Sequence, residues 1–175
     1  MSDIEGLLKA TIRDIPDFPK PGILFKDITP VLADADLMHQ IVDYFVDQFG
    51  GEQVTAVVGM ESRGFIFGAP LAMKLGCSFV PARKPGKLPY ESVGVDYALE
   101  YGTARLEMHT DAVGPADRVL VVDDLLATGG TAAATNTLIS QLGATIVGNC
   151  FVIELDFLNG RDALGGVPVK SIVHY

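Results

Sequence analysis

Cysteine is nearly absent from this chain: two residues, Cys77 and Cys150, in 175. Both sit among apolar neighbours without metal-ligand spacing. They read as reduced core residues of a cytosolic protein, and a disulfide framework or thiolate metal site is excluded. Basic charge is scarce as well. Only 13 Lys and Arg stand against 22 Asp and Glu, a formal net charge of −9. A general nucleic-acid binder needs a basic face, so that class is excluded. An anionic ligand must instead be met by locally placed cations. No apolar run is long enough to span a membrane, and the amino-terminal stretch is short, mixed and acidic, unlike a secretory signal. These absences predict a cytoplasmic protein with neither membrane nor nucleic acid as partner. Repeats, low-complexity segments and linkers are also missing. With 49% hydrophobic and 20% charged residues, the chain reads as one globular domain over residues 1–175.

What is present is organised around Val119-Leu120-Val121-Val122-Asp123-Asp124-Leu125-Leu126-Ala127-Thr128-Gly129-Gly130-Thr131. The apolar run predicts a strand buried on both faces, stopped by the two acids. An apolar-periodic segment then runs through Leu138, Ile139 and Leu142 to Gly143, as a helix closed by glycine does. The turn between them lies at the carboxyl end of a parallel strand, where open α/β sheets bind ligands. Gly129 and Gly130 are able to take left-handed angles that aim successive N–H groups at one point, which the following helix dipole also faces. Thr128 and Thr131 add hydroxyls. Neither the triphosphate loop nor the dinucleotide fingerprint is present. The arrangement fits a phosphate monoester held by backbone amides. Asp123 and Asp124 would repel such an anion, so they suit sugar hydroxyls or a Mg²⁺ held directly or through water. The plain alternative is a helix cap beside an ordinary turn.

Ile4 to Ile12 predicts a short amphipathic helix. In the stretch from Ile15 to Pro30 the prolines argue against regular structure, and the apolar residues argue against a solvated loop. It is either a connector pressed on the surface or a cap over a ligand. Leu37 to Phe49 repeats apolar residues at helical spacing and is core, with His39 off the stripe. Val54 to Val58 is a buried strand leading into Gly59-Met60-Glu61-Ser62-Arg63-Gly64-Phe65. Pro70 fits the next helix only in its first turn, which predicts a long connection. Arg63 there suits a second phosphate, or else pairs with Glu61. After the strand Phe79 to Ala82, Arg83, Lys84 and Lys87 crowd a segment punctuated by Pro and Gly. Residues from Pro85 to Asp96 carry few regular-structure signals and read as a lid, or as a solvated hairpin with a basic flank. An alternating strand near Arg105 to Met108 follows, with His109 on the surface. Later come a strand from Thr145 to Leu155, a turn at Phe157 to Arg161 and a strand from Val169 to Val173. Glu154 and Arg161 read as structural, and His174 carries no role.

The central motif, an apolar strand, an acid pair and a turn ending Thr-Gly-Gly-Thr, resembles the phosphoribosyl pyrophosphate motif of the type I phosphoribosyltransferases. Three further segments extend the resemblance to nearly the whole chain: Asp17 to Pro30, Glu61-Ser62-Arg63-Gly64-Phe65, and Arg83-Lys84 with Gly86-Lys87-Leu88-Pro89 and Leu99-Glu100-Tyr101-Gly102. They are similar to the hood, pyrophosphate loop and flexible loop of the adenine-using members. The resemblance implies a mainly parallel twisted sheet flanked by helices, with a small amino-terminal hood at about 1–35 and a flexible lid loop at about 83–103. It implies transfer of a phosphoribosyl group to adenine with Mg²⁺, giving AMP and pyrophosphate, by a homodimer. Leu24, Phe25, Lys26 and Leu125 would border adenine. Arg63, Arg83 and Lys87 would meet pyrophosphate, with Arg63 and Lys87 also catalytic. Glu100 would be the acid at the base. Asp123 and Asp124 would face the ribose, and Ala127, Thr128, Gly129, Gly130 and Thr131 would hold the 5-phosphate. Mg²⁺ would be held mostly by substrate oxygens, with Asp123 or Asp124 reaching it through water. Where many members carry Arg this chain has Lys26, so contact by that side chain stays open. The apolar surface around Phe65 to Phe67 would serve the dimer. Transfer to another base remains an alternative, as does a regulator that binds phosphoribosyl pyrophosphate without chemistry. The hood and Leu99 to Gly102 favour adenine, and the acidic chain offers no DNA-reading helix.

Overall fold

The computed structural model describes residues 4–98 and 103–175; Leu99, Glu100, Tyr101 and Gly102 lie outside the described residues. The amino-terminal part supplies helix α1 (Ile4–Thr11), strands β1 (Arg13–Pro16) and β2 (Leu24–Asp27), the single turn α2 (Thr29–Leu32) and helix α3 (Ala35–Phe49). Then follow β3 (Ala56–Met60), α4 (Gly64–Leu75), β4 (Ser78–Ala82), β5 (Ser92–Ala98), β6 (Thr103–His109), β7 (Arg118–Leu126), α5 (Gly130–Gln141), β8 (Thr145–Glu154) and β9 (Val169–His174). Two 3-10 turns, Asp156–Leu158 and Gly160–Leu164, join the last two strands.

Five strands form one sheet in the order β4-β3-β7-β8-β9, every pair parallel. The motif strand β7 is therefore central, with both faces covered. Leu120 and Val122 join the cluster under α1, α3 and α4, whereas Val119 and Val121 join the one under α5 and the β5–β6 hairpin. That double burial explains the unbroken apolar run. Cys150 is fully buried in the first cluster, and burial pushes its thiol pKa well up, as for an inert core residue.

Four expectations need correction. The acids do not stop β7: its ladder with β8 pairs Asp123 with Phe151 and continues to Leu126, so the neighbouring strand outweighs the weak strand preference of aspartate. The proline-rich stretch does carry regular structure. β1 and β2 form an antiparallel ladder of their own, Pro16 closes β1 opposite Leu24, and Pro19 and Pro21 lie in the turn between, where no ladder N–H is needed. Pro70 lies inside α4, so the connection after β3 shrinks to Glu61, Ser62 and Arg63. The carbonyl that Pro70 orphans belongs to Ile66, an exposed residue where water can satisfy it, while Phe67 and Leu71 anchor the buried face. Finally, Ser92–Ala98 is a strand paired with Thr103–His109, so of the two readings of this segment the hairpin holds, packed on the core on one face rather than solvated. Val93, Val95 and Tyr97 alternate onto the second core cluster, and that burial is what orders them.

Candidate active site

The site assembles at the carboxyl ends of β3 and β7. Gly129 takes φ +82 and caps α5 with no side chain bonded to the helix start. The orphan N–H groups of that first turn therefore remain available to an anion. Ala127 to Thr131 line a cavity of about 90 Å³, with Met60 and Phe151 behind them. Only Gly129 has the positive φ; Gly130 is the first helical residue, which corrects the expectation that both glycines are left-handed. Thr131 donates its hydroxyl proton toward Tyr97 Oη at 3.4 Å, so the hairpin touches the edge of this cradle.

A second cavity, about 310 Å³, is lined by Glu61, Ser62, Arg63, Lys84, Asp123 and Asp124. Asp123 borders both cavities. Gly64 makes this closeness possible, since a Cβ there would lie 2.5 Å from the Val122 carbonyl oxygen and 3.2 Å from Asp123 Oδ1. With the loop down against β7, Arg63 Nε lies 2.7 Å from Asp124 Oδ2. Arg63 thus does not pair with Glu61, the alternative partner, which is engaged elsewhere. Glu61 Oε1 receives Lys87 Nζ at 2.6 Å, and its Oε2 receives the Lys84 N–H at 2.9 Å and Arg83 Nε at 3.4 Å. Burial works against the Glu61 charge, but the hydrogen bonds from Lys87 and Lys84, with Arg83 nearby, bring its pKa below the usual range. Glu61 is the organiser that the sequence reading missed. Its signal was a charged residue delivered at the end of a buried strand.

Asp123 behaves oppositely. Burial, reinforced by the adjacent Asp124 charge, raises its pKa well above the ordinary carboxylate value. Asp124 is only 3% exposed, although it lines the second cavity. The adenine candidates divide. Phe25 faces the loop, with Arg63 Cζ 5.9 Å from its ring centroid and Phe18 edge-on at 5.1 Å. Leu125 borders the cradle. Leu24 and Lys26 line a separate hollow of about 490 Å³ with Leu155, Phe157, Leu158 and Tyr175. Lys26 Nζ is held 2.7 Å from Asp14 and 3.7 Å from the Tyr175 ring centroid. Glu100 lies outside the described residues.

Among the described residues, one group could offer three metal ligands: Glu154, Asp156 and His174. The Arg161 guanidinium already engages both Glu154 oxygens, at 2.6 and 2.7 Å, so the group reads as an ion-pair network. No described helix is long and apolar enough to cross a membrane.

The pattern of the phosphoribosyl transferase domain matches residues 31–163. An adenine phosphoribosyltransferase of Methylococcus capsulatus is 61% identical over 168 residues, 96% of this chain and 98% of that relative. The crystal structure of adenine phosphoribosyltransferase from Thermoanaerobacter pseudethanolicus has a TM-score of 0.94 at 49% identity, covering 97% of this chain and 99% of that one. The Saccharomyces cerevisiae enzyme, complexed with an imino-altritol bisphosphate and adenine, has a TM-score of 0.93 at 40% identity, covering 98% and 99%.

Proposed function

Because the chain belongs to the phosphoribosyltransferases, we propose that its two strand-end cavities receive phosphoribosyl pyrophosphate, and that it transfers the phosphoribosyl group to adenine, yielding AMP and pyrophosphate in purine salvage. The observation that carries this reading is the meeting of the two cavities at Asp123, with an uncapped helix start on one side and a cluster of cations on the other. The 5-phosphate sits on Ala127 to Thr131, the ribose hydroxyls face Asp123 and Asp124, and pyrophosphate lies beside Arg63, Arg83 and Lys87. The Arg63–Asp124 pair opens as substrate enters.

The chemistry follows from charge. Breaking the anomeric bond leaves positive charge on the ribose and negative charge on pyrophosphate. Arg63, Lys87 and Arg83 stabilise the leaving group. Asp123, half-buried where the two cavities meet, is ionised only at a cost because desolvation and the adjacent Asp124 charge both oppose it; two adjacent carboxylates at this edge are a donor set that would suit Mg²⁺, held directly or through water. Asp123 and Asp124 would hold Mg²⁺ there, and the ion would supply positive charge that offsets the charge developing on pyrophosphate. β2 is paired on one side only, by β1, so its other edge presents backbone N–H and C=O groups. Those groups match the hydrogen-bonding edge of adenine, with Phe25 supplying an aromatic surface. Lys26 contributes backbone rather than side chain, because its ammonium is held by Asp14 and Tyr175.

Assaying phosphoribosyl transfer to adenine, hypoxanthine, guanine and uracil tests the reading; turnover confined to adenine supports it, and preference for another base overturns it. Homodimerisation through α4 is part of the proposal. Met73 is 82% exposed and Ile66 38% exposed on that helix, whereas Phe67 is buried in the core and takes no part. Glu100 acts at N7 of the base, where a carboxyl stabilises charge developing in the purine. Both Glu100→Gln and Glu100→Leu are expected to lose turnover on the order of a hundredfold if a proton is transferred. Steady-state kinetics distinguish this from a hydrogen bond alone, for which Gln retains most activity and Leu does not. Full activity in both variants assigns the acid elsewhere.

A further inference from the structure

We infer that Arg161 and Glu154 form a positioning pair for the phosphate cradle, acting through the turn Gly160–Leu164; the inference rests on the phosphoribosyl reading of that cradle. The turn and the cradle touch backbone to backbone. A Cβ on Gly129 would collide with the Gly160 carbonyl oxygen and lie 3.0 Å from Ala163 Cβ. A Cβ on Gly160 would collide with the Ala127 carbonyl oxygen and lie 3.0 Å from the Leu126 side chain. Each glycine is thus the space the other segment needs. The left-handed Gly129, which aims the first amides of α5, is backed by this turn and not by a side-chain cap.

The turn in turn needs an anchor, and Arg161 provides it. Nε and Nη2 of Arg161 grip the two Glu154 oxygens at 2.6 and 2.7 Å, and Nη1 reaches the Val169 carbonyl at 3.5 Å. Ser171 donates to Glu154 Oε2 at 2.5 Å. Glu154 is 4% exposed at the end of β8, and β8 also forms the ladder with β7 that runs to the cradle. The fork fixes Arg161, Arg161 fixes Gly160, and Gly160 fixes Ala127 and Gly129. Amides that meet a dianion must be placed to within tenths of an ångström, so a loose turn is felt as lost affinity.

The partition of ligands makes this testable. Phosphoribosyl pyrophosphate, AMP and ribose 5-phosphate share the 5-phosphate; adenine and pyrophosphate lack it. Arg161→Lys keeps a cation beside the buried Glu154 but removes the fork. Calorimetry with ribose 5-phosphate is expected to show binding weakened about tenfold. KM for phosphoribosyl pyrophosphate and AMP should rise comparably, while kcat and KM for adenine and pyrophosphate stay unchanged. Gly160→Ala should give the same signature directly. If Arg161→Lys does not fold, Ser171→Ala, which trims the third anchor of Glu154, should carry it at smaller scale. A lower melting temperature with unchanged ribose 5-phosphate affinity overturns the proposal, as does equal weakening of adenine and pyrophosphate. A wild-type protein that binds ribose 5-phosphate without adenine transfer sinks the functional reading and leaves the positioning pair standing. One that binds no ribose 5-phosphate sinks both.

Discussion

Gly129→Val is expected to weaken binding of phosphoribosyl pyrophosphate about a thousandfold in titration calorimetry. Two effects add. A β-branched residue at φ +82 is strained by about 1–3 kcal/mol, and its Cβ would occupy the place of the Gly160 carbonyl oxygen. Neither segment is a flexible side chain that can swing away, so the amides at the start of α5 must turn from the phosphate. Thr131→Ala, which removes one hydroxyl and leaves the backbone alone, should weaken binding far less. Undiminished binding by Gly129→Val would remove the cradle from the mechanism.

The acid pair should lose turnover about a hundredfold to a thousandfold on conversion to amides, with opposite effects on stability. Asp124→Asn breaks the contact with Arg63, but the cation left behind is 47% exposed and can be solvated, so the melting temperature should fall by only about 2–4 °C. Asp123→Asn should raise it at neutral pH. The pKa of Asp123 is raised in the folded protein, so the stability it contributes is full when the group is protonated and is lost as pH rises through that raised value. The amide escapes this loss, and its advantage should vanish in acid, below the unfolded carboxylate range. Glu61 and Glu154 have lowered pKa values, and the stability each contributes is present above the unfolded range and lost as pH falls through the folded values. Scanning calorimetry across pH on Asp123→Asn reads the sign. Normal turnover per folded molecule in both variants would leave the acids as mere structure.

The strand, turn and helix of the central motif were legible because their causes are local: an apolar run buried on both faces, a left-handed glycine, a periodic helix. The length of β7 was not, since Asp123 and Asp124 hold strand geometry only because β8 lies alongside. The strand at Ser92–Ala98 was visible in the alternation of Val93, Val95 and Tyr97, but Gly94 and Asp96 masked it. The ion pairs escaped altogether. Arg63 finds Asp124, and Glu61 gathers Arg83, Lys84 and Lys87, through a sheet register that no local pattern encodes.

The central place of β7 has a consequence for synthesis. β3 and β4 leave the ribosome well before Arg118–Leu126, and until then the free side of β3, Ala56 to Gly59, has no partner strand. The nascent half-sheet is an open edge carrying valines, the kind of surface that recruits other chains. Val119 to Val122 closes that edge when it emerges, and the same nine-residue strand brings Asp123 and Asp124 to the candidate site. Until Arg118–Leu126 is in place, the centre of the sheet is therefore an unpaired edge.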